Sequence, residues 1–104
     1  MPVYDLEQVR AAAKQGSVAY RSRKVNNDVL NLGYDFDDVC KCILGLTAAE
    51  FRKTHEYEDD APDDGYRTVF GAGGDKAHQD ELYIKLRLCG DELIVDLGSF
   101  HLTG

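Results

Sequence analysis

The sequence predicts an α+β domain, in which helices from the first half of the chain pack on one face of a twisted antiparallel sheet built by the second half. Two stretches carry that prediction. In Leu32–Lys53, LGYDFDDVCKCILGLTAAEFRK, the residues Phe36, Val39, Cys40, Ile43 and Leu44 fall on one stripe of an α-helix. In Leu82–Leu88, LYIKLRL, the period drops to two, with Leu82, Ile84, Leu86 and Leu88 pointing one way and Tyr83, Lys85 and Arg87 the other. At 104 residues one domain is expected, since a chain of that length buries roughly two-thirds of its unfolded surface in a single core.

The elements follow in order. Asp5–Gln15 sets Leu6, Val9, Ala12 and Ala13 at helical spacing, with Arg10 and Lys14 outward and Gly16 as terminator. Ser17–Lys24 alternates loosely and is expected as a short strand or extended connection ending in the basic cluster Arg21, Arg23 and Lys24. Asn26, Asn27 and Asp28 offer capping chemistry for a single helical turn, Asp28–Asn31, which Gly33 breaks. The long helix has Asp35 as cap, Asp37 and Asp38 in its first turn, where carboxylates favour the dipole, and Gly45 as a left-handed stop. Thr47–Glu50 has the capping-box pattern for a further short turn that delivers Arg52 and Lys53 to the start of the strand region. Thr54–Glu58 admits a strand, but Glu56–Asp64 puts six carboxylates and a proline into nine residues and is expected as a loop that no sheet interior would hold. Tyr66–Phe70 is β-branched and aromatic, hence a strand. A glycine-rich connection runs from Gly71, and Leu82–Leu88 and Leu93–Leu97 form a hairpin about Gly90 and Asp91.

Composition bounds the function. The 43% apolar fraction argues against disorder, and no window approaches the roughly 18 apolar residues of a membrane span. MPVYDLEQVR has neither the basic nor the apolar region of a secretory signal, so a cytoplasmic location is expected. Cys40, Cys42 and Cys89 are too few and too oddly spaced for a disulfide framework. Cys40 and Cys42 stand about 200° apart around a helix and cannot hold one ion together, so Cys40 is expected as core, the others as incidental small residues, and no metal or cofactor is expected. The net charge of −7 is unevenly spread: residues 1–53 carry eight Lys/Arg against seven Asp/Glu, and residues 54–104 four against twelve. An acidic chain does not draw nucleic acid from a distance, so any RNA-directed role requires the fold to gather its cations on one face.

Leu32–Lys53 resembles the central segment of the MqsR-family toxins of bacterial type II toxin–antitoxin pairs, which share the fold of RelE-like ribonucleases. Tyr83-Ile84-Lys85 and Leu93-Ile94-Val95 resemble that family's last two strands, and Tyr66-Arg67, preceded by an aspartate, resembles its Asp-x-Tyr-Arg run. The likeness extends from about Leu6 to Val95. It implies a metal-independent endoribonuclease acting on mRNA and restrained by a cognate antitoxin. It also implies roles for particular residues: Lys53 matches the family's active-site lysine in Phe51-Arg52-Lys53, Tyr83 its active-site tyrosine, and Arg67 the arginine of its Tyr-Arg pair.

Residue chemistry adds to this and offers plainer alternatives. Tyr83, Lys85 and Arg87 are either an ordinary solvated sheet face or a surface for single-stranded RNA, where a ring stacks on a base and cations meet phosphates. Lys53 is either a helix-end cation or a stabiliser of phosphorane-like charge during attack by a ribose 2′-OH. Arg67 is a phosphate clamp or a partner of the acidic loop. Arg21 and Arg23 extend an RNA track or are simply solvated.

Two departures from the family matter. Its Trp-Gln pair is replaced by Pro62-Asp63, and its C-terminal Ser-Phe-Lys becomes Ser99-Phe100-His101, where the histidine is a general acid or base or a tail residue. His55 and His78 have no second ligand at metal spacing and are expected on the surface. The rival class is a catalytically weakened RelE-like fold whose acidic second half binds a basic protein partner.

Overall fold

The computed structural model describes residues 1–71 and 79–103, and each of its helices begins on an oxygen that accepts from an otherwise unpaired backbone N–H. Asp5 accepts from Glu7 N–H at 2.9 Å and opens α1, Leu6–Lys14. Ser22 Oγ accepts from Val25 N–H at 3.3 Å and opens α2, Arg23–Asn31. Asp35 and Asp38 accept reciprocally from each other's N–H at 2.8 and 3.0 Å and open α3, Phe36–Leu44. A 3₁₀ turn, Ala48–Glu50, leads into the strands: Glu50 accepts from Thr47 N–H at 2.9 Å.

The strands are β1 Val18–Tyr20, β2 Phe51–His55, β3 Asp63–Phe70, β4 Asp80–Cys89 and β5 Ile94–Leu102, in the sheet order β1-β5-β4-β3-β2. The arrangement is α+β, as expected. The sheet is mixed, however, because β1 runs parallel to β5. Parallel pairing needs a long connection, and the described helices and strands between Tyr20 and Ile94 supply it. Val9, Val25, Val29, Val39 and Ile43 from the helices share one buried cluster with Tyr66, Leu82, Ile84, Leu86, Leu97 and Phe100 from the sheet. The helices thus cover one sheet face and leave the other bare.

Several expectations change. Ser22 is the cap rather than Asn26–Asp28, so Arg23 and Lys24 start a helix whose Val25 and Val29 are buried at i, i+4, and Lys24 pairs with Asp28 at 2.8 Å. In α3 the inward residues are Val39, Cys40, Cys42 and Ile43, while Phe36 and Leu44 lie at the edges of the stripe and stay exposed. Cys42 is therefore a core residue, its thiol pushed up to about 12 by burial and then by Glu50. Gly45 ends the helix in right-handed rather than left-handed geometry, with φ −85°.

The largest correction concerns the acidic stretch. Asp63 and Asp64 are fully buried and begin β3. Buried carboxylates require donors in place of water, and both have them. Asp64 accepts from the N–H groups of Val3 and Tyr4 at 3.0 and 2.8 Å and from the Thr54 hydroxyl at 2.7 Å, tying the first residues to β2 and β3. Asp63, on the bare face, takes two hydrogen bonds from Arg21 at 2.9 and 2.7 Å, one from Arg87 Nε at 3.0 Å and one from the Tyr57 hydroxyl at 2.8 Å.

Burial alone would raise the Asp63 carboxyl, but the hydrogen bonds from Arg21, Arg87 and Tyr57 outweigh it and hold the group well below the usual carboxylate range. A depressed folded-state value contributes stability that is present above the unfolded value, about 3.9, and is lost as pH falls through the folded value. Asp63→Ala is expected to lower unfolding stability at pH 7 by about 3–5 kcal/mol, the range for breaking one side of a buried ion pair. Urea denaturation at stepped pH checks this, and the loss of stability below about pH 4 should be shallower in the variant.

Candidate active site

On the bare face, alternation and register place side chains from four strands side by side. In β2 these are Lys53 and His55, and in β3 Asp63, Gly65 and Arg67. Tyr83, Lys85 and Arg87 follow in β4, and Asp96, Ser99 and His101 in β5. Two bulges adjust the fit. The register slips between Phe51 and Lys53, leaving Arg52 as the extra residue, and again opposite Lys85 and Leu86, where Gly98 is extra.

The face divides into a closed half and an open half. In the closed half Arg21 reaches over Gly98 to Asp63, and a Cβ on Gly98 would collide with its guanidinium. Arg21 also pairs with Asp96 at 3.2 Å, and Arg87 with Asp60 at 2.8 Å. These arginines are spent on carboxylates. Arg87, expected in the exposed row, is only 6% exposed, because Asp63 opposite and Asp60 above it draw the guanidinium down. Neither Arg87 nor Arg21 offers a free guanidinium to phosphate. Arg23 is exposed in the first turn of α2, a helix that packs on β5 and β1 rather than beside Lys53 and Tyr83.

The open half centres on Tyr83. Its hydroxyl lies 2.5 Å from His55 Nε2, with the two rings at 85° and centroids 5.9 Å apart. Tyr83 leans across β3 to make that bond, and only a glycine permits it: a Cβ on Gly65 would collide with the Tyr83 hydroxyl and press on the His55 ring. Burial raises the Tyr83 phenol. Burial, followed by the charges of Lys85 and Lys53, lowers His55, against a smaller opposing effect of Asp63, so the imidazole is neutral at pH 7.

On the other side of Tyr83 stands His101, with ring centroids 6.2 Å apart. His101 Nδ1 lies 2.9 Å from the Leu102 carbonyl oxygen; a carbonyl only accepts, so Nδ1 carries the hydrogen and Nε2 is the second ring nitrogen left for chemistry. Arg52, Arg67, Tyr83, His101 and Thr103 line an open pocket of about 330 Å³. Arg67 is half exposed and pairs with Glu81 at 2.5 Å, so its partner is a β4 residue rather than the acidic loop. Glu50 and Glu81 stand with Arg52 and Arg67 at the rim of an adjoining hollow. Among the described residues no group of His, Cys, Asp or Glu is placed to hold a metal ion.

Of the residues predicted for the site, Lys53, Tyr83, Arg67, His101 and Lys85 therefore share one face. His55 was expected as a mere surface residue. The signal for it lay in the register: a strand that starts at Phe51 puts Lys53 and His55 on the same side two residues apart, whereas a strand starting at Thr54 separates them. His78 and the glycine run from Ala72 lie outside the described residues.

The family model described as "Motility quorum-sensing regulator, toxin of MqsA" matches residues 1–101. The chain belongs to this family of toxins. A search of curated proteins finds none that matches. As a member of the MqsR family the chain is a toxin of a toxin–antitoxin system, and its helices and mixed five-strand sheet are consistent with a RelE-like toxin fold. No helix among the described residues is long and apolar enough to cross a membrane.

Gly65→Ala should leave the fold intact by circular dichroism while pushing the Tyr83 ring outward. Freed from burial, the Tyr83 phenol is expected to titrate closer to the ordinary value of about 10. Tyrosine ¹³Cζ chemical shifts followed with pH, assigned against Tyr83→Phe, check this.

Proposed function

We propose that this MqsR-family toxin is a metal-independent endoribonuclease that cuts single-stranded mRNA and is neutralised by a cognate antitoxin. The observation that carries it is the gathering of Lys53, Tyr83, Lys85, Arg67 and His101 on the sheet face opposite the described helices. Cleavage of this kind joins the ribose 2′-oxygen to the neighbouring phosphorus and breaks the bond to the 5′-oxygen. It needs proton removal, charge stabilisation at phosphorus and proton delivery to the leaving oxygen. Lys53, exposed beside the Tyr83–His55 pair, supplies positive charge for the phosphorane oxygens. Arg67 grips a phosphate once Glu81 gives way, and Lys85 and Arg52 hold the strand on either side of Tyr83. His101, with Nδ1 fixed on the Leu102 carbonyl, presents Nε2 to the leaving 5′-oxygen.

The test is incubation of the full chain with a mixed single-stranded RNA in EDTA. Cleavage is expected to persist in the chelator and to fall by roughly 10²-fold in Lys53→Ala, the scale for removing one charge-stabilising group. Intact RNA, or undiminished cutting by Lys53→Ala and Tyr83→Phe alike, overturns the proposal.

A second reading, a fold with weakened catalysis that binds a basic protein, is favoured by Glu56, Glu58 and Asp59, all exposed just beyond β2. Salt separates the two. A cationic face predicts RNA affinity that falls steeply between 50 and 200 mM salt, and no binding even at low salt favours the second reading.

A further inference from the structure

We infer that His55 is the proton acceptor behind Tyr83, a positioning residue through which the site removes the 2′-hydroxyl proton; the inference rests on the endoribonuclease reading above. The geometry joins the two side chains directly. Nε2 and the phenol oxygen are 2.5 Å apart, close enough for a single hydrogen bond, and Gly65 beneath them is shaped to let Tyr83 reach. The ring is surrounded by Lys53 on its own strand, Asp63 and Gly65 on β3, and Lys85 and Tyr83 on β4, so two ammonium groups face it against one carboxylate already held by Arg21 and Arg87. In such surroundings the imidazole stays neutral, and in the tautomer that carries its hydrogen on Nδ1 the phenol donates and Nε2 accepts, the arrangement the relay uses.

A tyrosine is a poor base by itself, because its oxygen must first lose a proton. With His55 behind it, that proton has somewhere to go. As the 2′-oxygen bonds to phosphorus, the 2′-hydroxyl proton passes to the Tyr83 oxygen while the Tyr83 proton passes to His55 Nε2. The bond from phosphorus to the 5′-oxygen breaks, and that oxygen leaves with a proton from the His101 imidazolium. The products are a 2′,3′-cyclic phosphate and a 5′-hydroxyl, and solvent returns both imidazoles to their starting states. The imidazolium formed at His55 is unfavourable beside Lys53 and Lys85 in the resting protein. Negative charge building on the phosphorane offsets that at the moment of transfer.

The experiment compares the full chain with His55→Gln and His55→Ala on a short single-stranded RNA in EDTA, following kcat/KM from pH 4.5 to 9. Glutamine can still accept the Tyr83 hydrogen bond through its carbonyl oxygen but cannot take a proton. The unsubstituted chain is expected to lose activity on the acid side with an apparent pKa below the ordinary histidine value of about 6.5. Both variants should lose about 10²-fold in kcat/KM and also lose that acid limb, with RNA affinity unchanged. Tyr83→Phe should shift the His55 imidazole titration upward by NMR, since a hydrogen bond to the neutral form is gone. Absence of cleavage by the unsubstituted chain overturns the endoribonuclease reading and this inference with it. Cleavage that His55→Gln leaves at full rate, acid limb included, overturns the inference alone.

Discussion

Asp63 puts an ionised carboxylate in the middle of a sheet, on a face with no helix to shelter it, and a charge in that position needs enough donors to replace its lost water. Arg21, Arg87 and Tyr57 are those donors, drawn from the β1–α2 junction, from β4 and from the loop after β2. One side chain thereby fastens together segments far apart in sequence. It also decides the character of the face around it. By holding two arginines on the closed half, the cluster leaves the open half to Lys53, Lys85, Arg52 and Arg67, with Tyr83 and two histidines among them.

The same division answers the difficulty posed by a chain of net charge −7. Much of the acidity is either neutralised inside the fold, as at Asp63, or displayed beyond β2 at Glu56, Glu58 and Asp59. Net charge governs attraction at a distance, but contact with phosphate is governed by the charges within a Debye length, about 8 Å at physiological salt. Cations brought together on one face can therefore act where the chain as a whole is acidic.

Much of the fold was legible because local signals agreed with tertiary ones. The stripe Val39, Cys40, Ile43 marked α3, the alternation in LYIKLRL marked β4, and Asp5 and Asp35 marked helix starts that the structure keeps. What the sequence concealed depended on partners distant along the chain. Asp63 and Asp64 look like loop residues until Arg21, Arg87 and the N–H groups of Val3 and Tyr4 are brought to them. Arg87 has the alternation of an exposed residue, and nothing nearby in sequence announces that a carboxylate lies opposite. α2 was shortened because Asn26–Asp28 offered louder capping chemistry than Ser22. That Lys53, Tyr83, Arg67 and His101 would share one face was legible through family likeness and strand alternation. The contact of His55 with Tyr83 was not, since it depends on which residue Gly65 lets Tyr83 touch.

The order of the strands has a bearing on synthesis. β5 comes after the other four strands of the sheet in the chain, yet it lies inside the sheet, flanked by β1 and β4. Until it emerges from the ribosome, β1 has no neighbour, Tyr83 has no His101 across from it, and Phe100 is missing from the core. A chain that stops short of β5 thus lacks one strand of the open face, and pairing segments so distant along the polypeptide makes assembly slow compared with a purely local helical fold.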